Sequence, residues 1–104
     1  MKRLILKRPK AERDIEECFV YIGTENLDAA LRFLISVEES LELLARNSEI
    51  GVVREFASSK YFGLRMWPVR GFDRYEIFYL QDETSIDVVR VLHSARDLKS
   101  LFED

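Results

Sequence analysis

Between Arg3 and Arg8 apolar and polar residues alternate, the two-residue period of a β-strand, and Pro9 ends the run. The period then changes. Ala11, Ile15, Cys18 and Ile22 recur at helical spacing with Phe19 beside them, which predicts an amphipathic helix stopping at Gly23. Asn26 is the expected N-cap of a second helix, and Asp28 in its first turn suits the positive end of the helix dipole. Leu27, Ala30, Leu31, Leu34, Val37, Leu41 and Leu44 carry the stripe of that helix, and Glu42 is expected to pair with Arg46 one turn on. Two helices joined by so short a turn lie antiparallel as a hairpin.

Helical spacing stops after Arg46, and Asn47-Ser48-Glu49-Ile50-Gly51 reads as a loop. Three strand patterns follow, from Gly63 to Val69, Asp73 to Leu80 and Ser85 to Leu92. The turns between them are short, so the three strands form an antiparallel meander. Pro68 cannot donate to a ladder and belongs at a strand end or edge. Val52 to Phe62 fits a further short strand or a plain loop equally well. The expected fold is α+β, ordered β-α-α-β-β-β, with the N-terminal strand and helical hairpin packed on one face of an antiparallel sheet.

Residues 1–104 form one domain by size, and 47% hydrophobic with 34% charged residues is a globular composition. One small core leaves little room for an enclosed substrate cavity, so function is expected on the surface or in a shallow groove. Cys18 is alone, so no intramolecular disulfide forms, which suits a reducing, cytoplasmic setting. The basic N-terminus has too short an apolar run for a signal peptide, and no stretch approaches a membrane span. The net charge of −3 is uneven. Residues 1–9 hold four basic groups and no acid, and residues 10–50 hold ten acidic groups against four basic. A general nucleic-acid binder is basic overall, so a positive patch is expected only from the first strand and the middle of the chain.

Familiar catalytic signatures are absent. The four glycines are scattered, and one His with one Cys cannot make a zinc site, so no metal or cofactor is expected. Glu12, Asp14, Glu16 and Glu17, like Glu38, Glu39 and Glu42, read as solvated helix faces rather than as ligands or paired carboxylates. Cys18 sits on the apolar stripe as core. Trp67, Tyr75 and Tyr79 have the chemistry to stack on bases, but aromatics in strands more often pack in the sheet. The distinctive segment is Arg90-Val91-Leu92-His93-Ser94-Ala95-Arg96-Asp97. As a strand end it has Asp97 positioned to pair with Arg96 or to orient His93, and a lone His there is more often structural than catalytic.

That segment resembles the ending R-V-L-H-[GS]-x-R-D of the RelE/ParE superfamily of bacterial toxins from toxin–antitoxin pairs. The aromatic strand Tyr75-Glu76-Ile77-Phe78-Tyr79, the arginine strand at Leu64-Arg65 and the turn Glu25 to Ala30 are similar too. Leu27 departs from the proline the family often has after the asparagine. The resemblance implies a toxin held inactive by a co-expressed antitoxin, whose helix or strand would cover a groove or sheet edge. The stretch Gly63–Val69 is the expected open edge, and Phe62, Leu64, Met66 and Phe72 are candidate contacts, equally readable as ordinary core.

Two activities occur on this scaffold. ParE-like members poison DNA gyrase, which requires only a binding surface. RelE-like members cut mRNA in the ribosome, which requires proton transfer and stabilisation of phosphorane charge. The basic residues near the sheet are Lys60, Arg65, Arg70, Arg74, Arg90 and Arg96, with His93 the one proton-transfer group among them, and their plainer role is pairing with Asp73, Glu76 and Asp87. Arg65, Arg74, Arg90, His93 and Arg96 are the toxicity candidates, and the last strand is expected to bring Arg90, His93 and Arg96 to one rim. The VLHSARD ending is closer to the ParE-like branch, so gyrase is the expected target. The ribosome, or an inactive antitoxin-binding module, is the alternative.

Overall fold

The computed structural model describes residues 2–103. The chain runs β1 (Leu4–Lys7), α1 (Pro9–Gly23), α2 (Leu27–Arg46), β2 (Val52–Val53), a 3-10 turn (Ser59–Tyr61), β3 (Arg65–Val69), β4 (Phe72–Gln81), β5 (Ser85–His93) and α3 (Leu98–Phe102). The sheet order is β1-β5-β4-β3-β2. The meander β3-β4-β5 is antiparallel as its short turns dictate, while β1 joins the far side of β5 in parallel.

Both long helices begin as their sequences direct. Pro9 occupies the first turn of α1, where a missing N–H is harmless. The Asn26 side chain accepts the Ala29 N–H at 3.0 Å, capping α2. The buried face of α2 keeps most of the expected stripe, with Ala30, Val37, Leu41 and Leu44 buried and Leu34 packed against the core. Phe33 is fully buried, edge-on to Phe72 and Tyr75, whereas Leu27 and Leu31 are 60% and 48% exposed. Apolar residues on several sides of this helix leave its phase undecided until the sheet is present. Glu42 likewise meets Lys2 at 2.7 Å rather than Arg46, and Glu38 meets Lys7, because β1 runs beside α2.

Alternate residues of β4 and β5 feed two cores on opposite faces. Ile77, Tyr79, Ile86, Val88 and Val91 pack beneath the hairpin against Phe33, Val37, Leu41 and Leu44. Phe78, Val89 and Leu92 pack on the other face with Leu64 and Phe102. The helices are therefore not confined to one face: α3, five residues beyond the sequence-predicted elements, covers the second with Phe102. The jump from Val88 to Val91 on one face is produced by a bulge, where Phe78 faces Arg90 and Tyr79 faces Val88.

The ambiguous segment holds the two-residue strand β2, which pairs with Arg65 and Met66. The expected open edge at Gly63–Val69 is thus half covered, and Pro68 removes a donor from the remainder. Gly63 (φ 82°) turns the chain before β3 begins rather than joining it.

Candidate functional site

The end of β5, the start of the following turn and the second half of α1 enclose an open groove of about 400 Å³. Its apolar wall is Val91, Leu92, Tyr75 and Cys18, and its rim holds Glu17, Tyr21, His93 and Arg96. The His93 ring lies edge-on to Tyr75 with centroids 5.0 Å apart. Its Nδ1 accepts the Ala95 N–H at 3.0 Å, which leaves Nε2 as the nitrogen able to carry a proton. The same turn is closed by the Arg96 N–H donating to the His93 carbonyl at 3.0 Å. Asp97 neither pairs with Arg96 nor orients His93: its carboxylate accepts the Ser100 N–H and caps α3. Burial, with Asp14 and Glu17 adding to it, pushes the Cys18 thiol up to about 11, and burial also raises the Tyr75 phenol.

Asp14, grouped by sequence with solvated acids, is 5% exposed. Its oxygens receive Arg90 Nε at 2.6 Å and Nη2 at 2.9 Å, and Oδ2 also accepts the Val91 N–H at 3.1 Å. Two problems meet one carboxylate. Beyond Lys7 the chain has turned into α1, so β5 loses its neighbour and Val91 needs an acceptor. Arg90, half-buried, gains a counter-charge, and the pairing raises its pKa against the opposing effect of burial. One signal was present: Asp14 stands three residues after Ala11 and four before Cys18, within the apolar stripe.

His93 and Arg96 therefore share a rim, but Arg90 stands on the other side of Asp14 and lines a separate cavity. Arg65 is occupied locally: its Nη1 donates to the carbonyls of Glu49 and Gly51 at 2.9 and 2.8 Å. Arg74 is exposed, and its carbonyl accepts the Ser94 N–H at 2.6 Å. Asp87 pairs with Arg8, a residue outside the predicted basic set. Tyr79 belongs to the core, its hydroxyl donating to the Ser48 carbonyl at 2.7 Å and accepting the Gly51 N–H at 3.0 Å. Of the candidate contact residues, Phe62 is 90% exposed, Met66 and Phe72 are half-buried, and Leu64 is fully buried. Among the described residues, no three His, Cys, Asp or Glu side chains converge as metal ligands would, and no helix is long and apolar enough to cross a membrane.

The helical hairpin, the meander and the His-Ser-Ala-Arg-Asp turn closing its last strand place the protein among RelE/ParE-type toxins. More particularly, the chain belongs to the ParE toxin family, since the model of the ParE toxin of type II toxin–antitoxin systems, parDE, matches residues 5–98. A chain of the solved structure described as "Chromosomal ParDE TA system from P. aeruginosa" has a similar fold, with a TM-score of 0.68. It is 15% identical, and the match covers 88% of this chain and 96% of that one. No curated protein sequence matches this chain.

Proposed function

We propose that this ParE-family protein is a growth-arresting toxin that acts on DNA gyrase and is neutralised by a cognate antitoxin. Family membership over residues 5–98 is the observation that carries the reading. The groove beside β5 adds a physical argument. It offers a mixed apolar and charged surface suited to another protein, with Tyr21, Tyr75, His93 and Arg96 as its anchors. A metal-independent ribonuclease needs a base and an acid on opposite sides of the scissile bond. Here His93 spends one ring nitrogen on Ala95, which leaves a single nitrogen for proton transfer.

The test is purified protein with gyrase, ATP and plasmid. The expected result is loss of supercoiling with trapped cleaved DNA, relieved by the antitoxin. Unaffected gyrase together with cut mRNA on translating ribosomes would move the assignment to the nuclease branch. Normal growth on expression without the antitoxin would leave only a binding module.

A further inference from the structure

On the second face of the sheet lies a cavity of about 350 Å³ with Arg8, Lys10, Tyr61 and Arg90 in its wall. We propose that this cavity is a binding site for one phosphate group, carried by a nucleic-acid strand, with these four residues as its donors. The proposal does not depend on gyrase being the target.

The two arginines are held in the same manner. Arg8 gives Nε and Nη2 to Asp87 at 3.0 and 2.9 Å, and Arg90 gives Nε and Nη2 to Asp14 at 2.6 and 2.9 Å. Each carboxylate grips one edge of a guanidinium and leaves the Nη1 donors without a partner among the described residues. Arg8 and Arg90 both line the cavity, whereas neither Asp14 nor Asp87 is part of its wall. A planar guanidinium has two usable edges, and the second matches the spacing of two phosphate oxygens. Because the first edge is already fixed, little side-chain freedom is lost on binding.

Tyr61 shares the cavity wall with both arginines, and its hydroxyl has no hydrogen-bond partner among the described residues. Its ring is fixed edge-on to Phe102, with centroids 5.0 Å apart. Lys10 has no ion-pair partner among the described residues and adds the uncompensated positive charge. The floor, Val89, Leu101 and Phe102, is apolar and suits a sugar better than a second anion. The chain as a whole carries −3, so net charge does not favour a polyanion and its binding depends on a local site. Binding should therefore involve about one phosphate, with log K falling against log salt by roughly 0.7 to 0.9.

The experiment titrates the full chain with inorganic phosphate and with a labelled single-stranded DNA octamer, using polyglutamate as the rival anion. The variants are Arg8→Gln, Lys10→Gln and Tyr61→Phe, with Arg32→Gln on α2 as the remote control. Thermal midpoints report folding, and Arg90 is left intact because its loss would strand Asp14. Arg8→Gln and Lys10→Gln should each weaken octamer binding about tenfold, as expected for a charged hydrogen bond, and Tyr61→Phe about threefold. Arg32→Gln should bind like the parent, and inorganic phosphate should displace the octamer. Octamer binding that survives all three site variants, or that polyglutamate matches, would overturn the proposal. Phosphate binding that the variants abolish, without any octamer binding, would overturn the strand as its source and point to a small phosphorylated molecule.

Discussion

Asp14 and Arg90, 76 residues apart in sequence, form a two-pronged ion pair at the point where β5 outruns β1. The carboxylate also closes the strand's open N–H at Val91, so it serves charge and backbone together. Asp14→Ala leaves a largely buried guanidinium without a counter-charge and should cost about 3 kcal/mol in urea unfolding. Adding Arg90→Met should restore much of that loss, because an apolar side chain needs no partner. Equal stability of the single and double variants would show that the Val91 hydrogen bond, rather than the charge pair, carries the effect.

A second buried polar junction ties the loop after α2 to the sheet. Tyr79→Phe removes the group that both accepts from Gly51 and donates to Ser48, and leaves both unsatisfied, at about 1–3 kcal/mol. Gly51→Ala should be destabilising as well, since an added Cβ would lie 2.7 and 2.9 Å from Tyr79 Cε1 and Cζ. Chemical denaturation of each variant checks both.

The Cys18 thiol is held at about 11 against an ordinary value of 9, so thiolate at pH 8 is about a hundredfold scarcer than in the unfolded chain. Alkylation of the native protein, followed by mass spectrometry, should be slowed accordingly. The sign for stability follows. The folded state holds this proton more tightly, so its contribution is complete below pH 9 and lost as pH rises past about 11. Cys18→Ala should flatten the alkaline fall in stability.

Leu64 and Phe62 are two residues apart with opposite fates. Leu64→Ala should cost about 2–5 kcal/mol through the cavity it leaves beside Phe78 and Phe102. Phe62→Ser should change stability by less than about 0.5 kcal/mol, since its ring is almost wholly in solvent. If the antitoxin covers this surface, Phe62→Ser should weaken the complex while leaving the unfolding curve in place, which titration calorimetry would read.

The legible parts of the fold were those with a clean local period. The first helix, the Asn26 cap and the meander all lie where their spacing and turn lengths put them. On α2 the expected stripe holds at Ala30, Val37, Leu41 and Leu44, whereas Leu27 and Leu31 join Ile35 on a second apolar side that the sheet does not cover. The five-residue helix α3 escaped notice because so short a helix shows barely one turn of its period. The candidate site was half legible: its His93 and Arg96 come from one contiguous motif, whereas Tyr21 and Cys18 reach the groove from a different element.

The amino-acid order alone determined the class of fold, the hairpin, the strand pairing across short turns and the family ending at Arg90 to Asp97. Each of these is written within a few residues of chain, where periodicity and turn chemistry act. Only the tertiary structure decided which acid meets which base, because those partners are chosen by proximity across elements. It drew Asp14 out of a run of solvated acids, turned Arg90 away from His93, and gathered Arg8, Lys10 and Tyr61 around it.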